Sequence, residues 1–224
     1  MEFKDLVSLY EDTKKEYGNK AYRYISKILS KAKEQHLKDF FGDDHEQSWR
    51  AFKGKNLEKL IEYIIISEIE SIGLKTINGN TLERKFASKM SDELAKVKRN
   101  LSIDYGKFGL HLPDVDIVIY NPNNSKVIAV LSIKVTLRER IAQTGYWKLK
   151  LSEDNLTKNV KVYFITLDED QTLRYNDGKK KGKAIVEIDT DGGYVLSEHP
   201  IEETDKVKTF DKFIEDLKKT INER

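Results

Sequence analysis

Charged side chains stand at the ends of two neighbouring apolar runs in the middle of the chain. Asp114 and Asp116 precede the first run, and Ser132 and Lys134 close the second. Successive side chains of a strand alternate faces, so the members of each pair share a face. A hairpin would therefore bring a carboxylate and a lysine together. Such a cluster suits phosphodiester hydrolysis, because a carboxylate-bound cation offsets phosphate charge and a lysine stabilises the developing charge.

The same arrangement has a plainer explanation. Buried strands do not ordinarily end in charged side chains unless those charges are paired or bind something. An Asp–Lys ion pair at a strand end meets that requirement without any catalysis. The residues alone leave both interpretations open, a structural ion pair and a metal-assisted active site.

The strands around this cluster are well marked. Residues 117–120 and 127–131 are almost continuously apolar and β-branched, which is typical of strands buried on both faces. The sequence Asn-Pro-Asn-Asn-Ser at 121–125 predicts the turn that joins them into a hairpin. Further strands are predicted at 160–167, 184–188 and 194–196.

Helices are predicted on both sides of these strands from the spacing of apolar residues. Glu58 falls in the first turn of one of them, one turn before Glu62 on the same face. A helix N-terminus favours glutamate electrostatically, so Glu58 has a structural explanation beside any chemical one. The predicted helices span residues 3–42 with a break at Gly18-Asn19, 53–72, 81–100, 138–150 and 207–221.

Composition limits the kind of metal site. With no cysteine and four scattered histidines, a thiolate or histidine-built zinc site is not expected, and oxygen ligands suit Mg²⁺ or Mn²⁺. A net charge of +2 means that nucleic-acid binding needs a local basic patch. No apolar run approaches the ~20 residues of a membrane span. The charged N-terminus does not resemble a signal peptide, so we expect a cytoplasmic protein with no membrane partner.

The residues Pro113-Asp114, Asp116 and Ser132-Ile133-Lys134 resemble the PD-(D/E)xK nuclease motif, most closely that of type II restriction endonucleases. In that family, one Asp of the first strand and the acid two residues before the Lys hold the metal. Here Ser132 occupies the second acid position. Asp114 matches the literal motif, but we favour Asp116 because a continuous strand follows it.

The S-x-K variant of this motif recruits its missing carboxylate from elsewhere. In one version the carboxylate comes from an upstream helix, and Gly54-Lys55-Asn56-Leu57-Glu58 is similar to that G-x-x-x-E element. In another version the carboxylate follows the lysine, and there this chain has Tyr146-Trp147-Lys148 instead. The resemblance therefore points to Glu58.

This resemblance implies a role for each residue of the cluster. Glu58 and Asp116 would hold Mg²⁺, or Mn²⁺ as a substitute, with Asp114 as the alternative ligand. Lys134 would position or activate the attacking water. Ser132 would support the cluster without carrying charge.

A second resemblance lies directly after the lysine. Restriction enzymes that read adjacent C·G pairs place an R-(D/E)-R triplet there, as Arg138-Glu139-Arg140 does in this chain. Arginine pairs with O6 and N7 of guanine, and a carboxylate accepts from N4 of cytosine. The triplet, with Gln143, would thus contact bases of a site whose usual core in the family is CCGG. A salt-bridged helix start is the structural alternative.

We expect an α/β fold with a restriction-endonuclease-like central mixed β-sheet flanked by helices and an N-terminal helical layer. A single nuclease domain would span 1–224, with a helical part at 1–52 and a catalytic core at 53–224. The expected function is Mg²⁺-dependent, sequence-specific cutting of double-stranded DNA at a short palindrome by a homodimer. The alternatives are a structure-specific repair or junction-resolving nuclease of this fold and a non-cleaving DNA-binding protein.

Overall fold

The chain is described by a computed structural model over residues 1–84, 89–137, 140–175, 178 and 180–222. These residues form eight α-helices: α1 (Phe3–Tyr17), α2 (Ile25–Lys38), α3 (His45–Ser71), α4 (Gly79–Arg84), α5 (Asp92–Leu101), α6 (Arg140–Ser152), α7 (Lys181–Asp189) and α8 (Phe213–Asn222). They also form eight strands: β1 (Lys75–Asn78), β2 (Ile103–Asp104), β3 (Leu110–His111), β4 (Ile117–Tyr120), β5 (Val127–Lys134), β6 (Lys161–Thr166), β7 (Gly192–Val195) and β8 (Val207–Thr209). Within these ranges, no helix is long and apolar enough to span a membrane.

A six-stranded mixed sheet organises the molecule, in the order β1-β4-β5-β6-β7-β8. β1, β4 and β5 run antiparallel to one another in turn, whereas β5 to β8 are parallel. The predicted hairpin is β4 and β5, and Ile117 lies opposite Leu131. The start of β4 and the carboxyl ends of β5 and β6 therefore meet at one end of the sheet. This confirms the expected α/β fold with a central mixed sheet.

Both faces of the sheet are covered by helices. Ile117, Leu131 and Ile165 belong to a core with apolar residues of α1, α2, α3 and α8. Val118 and Val130 point the other way and belong to a second core with residues of α5 and α6. Burial on both faces explains why the strands are almost continuously apolar. The N-terminal helices form the layer that the sequence predicted.

α3 begins at His45, earlier than the predicted start at Lys53. Asp44 caps it by accepting a hydrogen bond from the backbone N–H of Gln47 at 2.9 Å. Polar residues follow Asp44, so the first turns of α3 lack the regular spacing of apolar residues from which a helix is predicted. Glu58 consequently lies about three and a half turns inside the helix, so the explanation of Glu58 as a first-turn residue is wrong.

Other differences concern short elements. The predicted strand at 184–188 is part of α7, because tertiary packing overrides the β-branched character of the segment. The predicted last helix begins only at Phe213, since Val207–Thr209 forms the edge strand β8. The helix predicted over 81–100 is divided, and Ser91 caps its second part, α5, by accepting from the N–H of Leu94 at 3.3 Å.

Candidate active site

Asp116 and Lys134 form a close ion pair at the end of the hairpin. The Nζ atom of Lys134 lies 2.7 Å from Oδ2 of Asp116, and the backbone N–H of Ile133 donates to the same oxygen at 2.6 Å. Asp116 is only 6% exposed. The carboxylate is thus fixed by one charged and one neutral donor, both from β5.

The backbone of Asp116 is held from two sides. Its N–H donates to the carbonyl of Leu131 at 2.9 Å. Its carbonyl accepts from the N–H of Gly79 at 2.9 Å and from Nδ2 of Asn78 at 3.2 Å. A Cβ at Gly79 would lie 1.9 Å from the carbonyl oxygen of Val115, so only glycine permits this approach. These contacts restrict where the Asp116 side chain can point.

α3 brings Glu58 beside this pair from outside the sheet. Burial, followed by the negative charge of Asp116, raises the pKa of Glu58 to about 7 against the opposing effect of the Lys134 ammonium group. A hydrogen bond between the two carboxyl groups, which requires a proton on one of them, contributes to the raised pKa. Two carboxyl groups and one lysine therefore share a single site.

Asp114 lies at the edge of this site. Its side chain is exposed, and its Oδ2 accepts a hydrogen bond from Nε2 of Gln143 at 2.9 Å. In the part of the chain that the structure describes, the salt bridge to Lys134 comes from Asp116 and not from Asp114. Asp114 thus connects the start of β4 to α6, and Gln143 is engaged by it.

Ser132 is buried and faces α6. Its Oγ accepts a hydrogen bond from Oγ1 of Thr144 at 3.2 Å. Oγ1 of Thr144 also approaches the carbonyl of Arg140 at 3.4 Å. Ser132 therefore anchors the first turn of α6 to the strand that carries Lys134.

The predicted recognition triplet is described only in part. Arg138 and Glu139 lie outside the described residues. Arg140 is exposed and begins α6, with its backbone N–H donating to the carbonyl of Leu137 at 3.0 Å. The N–H of Leu137 in turn donates to Oδ2 of Asp170 at 3.3 Å. The segment that leads into the triplet is thus tied to the loop after β6.

A cleft runs along α3 past the carboxyl pair. It consists of two adjoining grooves of about 570 and 990 Å³, which share Arg50, Gly54, Glu58 and Arg140. We call the two grooves together the α3 cleft. Lys134 lines the first groove, so the cleft gives access to the catalytic candidates. The other basic residues along it are Lys33, Lys53, Lys55, Lys59 and Arg84.

The carboxyl pair fits Mg²⁺ better than other common metals. Two carboxyl groups beside an open cleft repel each other, and a cation between them would relieve that repulsion. Across the described ranges, no group of three or more His, Asp or Glu side chains converges. Magnesium usually takes one or two carboxylates and keeps several waters, whereas calcium takes six to eight oxygen ligands and zinc prefers histidine or cysteine.

Sequence reasoning missed three residues of this site. Arg50 precedes Glu58 by two helical turns, and it would have been noticed if Asp44 had been recognised as the helix cap. Asn78 and Gly79, which hold the backbone of Asp116, lie at the end of the short edge strand β1 and directly after it, and the sequence of this strand carries no clear strand pattern.

A family model and two related proteins all connect this chain with type II restriction enzymes. Residues 93–218 match the family model described as "BsaWI restriction endonuclease type 2". MjaVIP of Methanocaldococcus jannaschii, whose name assigns it to the type II restriction enzymes, is 37% identical over 212 residues, which are 87% of this chain and 92% of that protein. HpyAORF263P of Helicobacter pylori, named in the same class, is 33% identical over 181 residues, covering 80% and 88%.

Among solved structures, the chain resembles the specific restriction endonuclease AgeI in its complex with DNA. The TM-score is 0.59 at 13% identity, and the likeness covers 90% of this chain and 82% of that one. At this level of identity the resemblance shows the fold.

Proposed function

The chain belongs to the BsaWI family of type II restriction endonucleases, and we propose that it makes Mg²⁺-dependent double-strand cuts in DNA at a short palindrome containing G and C. The observation that supports this most directly is the meeting of Glu58, Asp116 and Lys134 beside a basic cleft, which Glu58 and Lys134 line. The relatives bear the names of nucleases of this type. The geometry supplies the groups that such a reaction needs.

Glu58 and Asp116 are the residues that would hold Mg²⁺, with Mn²⁺ as a substitute. When bound there, the ion offsets negative charge on the phosphate and lowers the pKa of a coordinated water. The N–H of Ile133 and the ammonium group of Lys134 both bind Oδ2 of Asp116, so Oδ1 is the oxygen that would bind the ion. Asp114 stays the alternative ligand, since it lies at the edge of the site and its negative charge contributes to the raised pKa of Glu58.

Lys134 contributes a positive charge next to the reacting phosphate. Its ammonium group is mostly buried, with 17% of the side chain exposed, and is fixed at 2.7 Å from Asp116. A buried charge acts strongly on charge that develops nearby because little water screens it. Lys134 would stabilise the transition state or orient the attacking water, and Ser132 would hold the neighbouring turn without adding a competing charge.

The first turn of α6 is our candidate for base recognition. Arg140 lines the same cleft as Glu58, and Gln143 lies one turn further along the helix. Arg138 and Glu139 directly precede this turn in the sequence. We assign guanine contacts to the two arginines, a cytosine contact to Glu139 and an additional base contact to Gln143.

Cutting both strands calls for two copies of the chain. One chain contributes one Glu58–Asp116–Lys134 site, and a two-fold dimer on a palindrome presents one such site to each strand. Residues 1–224 would act as one nuclease domain, because α3 continues without interruption from the N-terminal helical part into the segment that carries Glu58. The proposed partners are therefore double-stranded DNA and a second copy of this chain.

A digestion experiment tests the proposed function. The purified protein should cut genomic DNA into discrete fragments in Mg²⁺, and sequencing of the fragment ends should return one short palindrome containing G and C. Chelation of the metal and the substitution Lys134→Ala should each abolish the bands. If the ends shared no sequence, site-specific cleavage would be rejected. If Lys134→Ala cut normally, the assignment of the active site would be wrong.

A further inference from the structure

Gly54 occupies a position in α3 where a glycine has no evident structural purpose. Apart from proline, glycine is the poorest helix former. At Gly79 close packing requires glycine, because a Cβ there would lie 1.9 Å from the carbonyl oxygen of Val115. A Cβ at Gly54 would meet nothing within 4 Å. Close packing therefore explains Gly79 but not Gly54.

The backbone does not require glycine at this position either. Gly54 lies nine residues inside a continuous helix and is not one of the residues with positive φ. Alanine would fit the same backbone and would favour the helix more. The absence of a side chain must then serve something that lies outside the helix.

Gly54 lies on the floor of the α3 cleft, between two functional candidates. Arg50 precedes it by four residues and Glu58 follows it by four, so the three lie along one face of α3. All three line both grooves of the cleft. An extended ligand that lies along the cleft as far as Glu58 must pass over the helical turn that contains Gly54.

The charges along the cleft indicate what kind of molecule binds there. Three cleft lysines, Lys33, Lys53 and Lys134, are each paired with a carboxylate at 2.6–2.7 Å. By contrast, the cleft residues Arg50, Lys55, Arg84 and Arg140 form no salt bridge with a carboxylate of the described residues. Unpaired arginines bordering bare helix backbone suit a polyanion with regularly spaced phosphates.

We propose that Gly54 keeps the surface of α3 bare so that the sugar–phosphate backbone of the DNA strand being cut passes directly over this turn. Arg50 binds a phosphate on one side of Gly54, and the phosphate to be cut lies beside Glu58 on the other. This inference rests on the proposed function. Gly54 is a positioning residue in it, and Arg50 is a binding residue.

Substitution of Gly54 separates helix stability from DNA binding. Gly54→Ala should raise the melting temperature by about 2–4 °C, because alanine is the better helix former. The added methyl group should nevertheless weaken binding of a short fluorescent DNA duplex, measured without divalent metal, by about 5-fold. Gly54→Leu should weaken binding by about 10–100-fold. Cleavage of genomic DNA in Mg²⁺ should fall in parallel with binding.

A matched control lies on the same helix outside the cleft. Ser67 is exposed in the last turns of α3 and lines neither groove. Ser67→Leu places the same leucine side chain on the surface of α3, but binding and cleavage should stay within about twofold of the wild type. A large loss of binding in Ser67→Leu would mean that any bulk on α3 is harmful, and it would overturn the assignment to Gly54.

Arg50 provides an independent measurement of the phosphate contact. Each phosphate neutralised by a protein cation contributes about 0.9 to the slope of log affinity against log salt. Arg50→Ala should reduce that slope by about this amount for the same duplex. Arg50→Lys should restore the slope because it keeps the charge. If the salt dependence of binding were unchanged in Arg50→Ala, the DNA strand would not contact Arg50 and the proposed path would be wrong.

Each remaining outcome separates the inference from the proposed function. If the wild type cuts DNA and both Gly54 variants cut at the same rate, the path over α3 is wrong while the nuclease function stands. If Gly54→Leu binds the duplex normally but loses Mn²⁺ binding in calorimetry, the open space serves a hydrated cation and the inference fails. If the wild type binds the duplex but never cuts DNA, the proposed function fails, and the binding data still test the path.

Discussion

Two Asp–Lys clusters of nearly the same local design lie at opposite ends of the sheet. Asp116 directly precedes β4 and accepts from the N–H of Ile133 on β5 and from Lys134 at 2.7 Å. Asp191 directly precedes β7, and its Oδ2 accepts from the N–H of Val162 on β6 at 2.9 Å and pairs with Lys148 at 2.7 Å. The two ends differ in what surrounds this common unit.

The balance of charge distinguishes the two clusters. At Asp191 one carboxylate faces two lysines, because Lys161 also approaches it at 3.4 Å. At Asp116, Glu58 adds a second carboxyl group and only Lys134 opposes the pair. The Asp191 cluster has one positive charge in excess. The Asp116 cluster, when Glu58 is ionised, has an excess of negative charge that a cation can offset. A strand-end Asp–Lys pair is therefore no sign of catalysis by itself.

The position of the clusters in the sheet agrees with this distinction. Asp116 and Lys134 lie at the carboxyl end of β5, where ligands bind in open α/β sheets. Asp191 lies at the amino ends of β6 and β7. The sequence left a structural ion pair and an active site as competing interpretations of one motif, and we propose the first role for Asp191 and the second for Asp116.

Asp116→Asn should have the largest effect on activity. It removes a charged metal ligand while Asn can still accept from the N–H of Ile133, so we expect a loss of about 10³-fold or more in the rate of DNA cleavage with the fold retained. The measurement is single-turnover cleavage of a plasmid in Mg²⁺, with circular dichroism as the control for folding. Cleavage within tenfold of the wild-type rate would shift the metal-ligand assignment to Asp114.

Glu58→Gln should have the next largest effect, and it tests the carboxyl group that distinguishes the two ends. We expect cleavage to fall by about 10²-fold, since one of the two proposed ligands loses its charge. Addition of Mg²⁺ should raise the melting temperature of the wild type, which binds the ion only when folded, and should not raise that of Glu58→Gln. An equal rise in both proteins would show that Glu58 does not contribute to the metal site.

Local signals made the hairpin and the acid–lysine pair predictable. The turn, the apolar runs and the alternation of faces all lie within one short stretch of chain, and they placed Asp114 or Asp116 opposite the region of Ser132. In the structure Ile117 pairs with Leu131, which leaves Asp116 next to Ser132. Glu58 was found through the family motif and not through the helical pattern, which put it in the wrong turn. The start of α3 was missed because polar residues follow its cap, and Arg50 was missed with it.

The remaining features depend on contacts distant in sequence. β1 and β8 are short edge strands that owe their conformation to pairing with β4 and β7. Asp191 forms salt bridges with Lys148 of α6 and Lys161 of β6, and no local spacing in the sequence predicts that cluster. The openness around Gly54 is likewise a property of the assembled cleft. Sequence patterns report periodicity within elements, whereas these features arise between elements.

Asp191→Asn should have the opposite outcome to Asp116→Asn. The substitution leaves Lys148 and Lys161 without their carboxylate partner in a site where only 14% of the Asp191 side chain is exposed. We expect a loss of about 2 kcal/mol in the free energy of unfolding, or about 4–8 °C in melting temperature. Cleavage measured well below that temperature should match the wild type. A specific loss of activity without a loss of stability would remove the distinction between the two ends.

The smallest expected effect is the pH dependence of stability that Glu58 confers on the metal-free protein. Its folded pKa of about 7 lies above the ordinary value of 4.5, so between these values the folded state binds more protons than the unfolded state. Stability contributed by this group therefore falls as pH rises from about 4.5 to 7 and is constant above that range.

Because Glu58→Gln carries no titrating group, its melting temperature relative to the wild type should increase across this interval and then level off. Allowing for the partial exposure of the carboxyl group, the effect should be about 1 kcal/mol, or about 2–4 °C. Thermal melts of both proteins in chelator between pH 4.5 and 8 measure it, with Asp191→Asn as the control in which Glu58 still titrates. A difference that stayed flat with pH would mean that neither burial nor the charge of Asp116 raises the pKa of Glu58 in the folded protein, and the contrast between the two ends would then rest on the lysines alone.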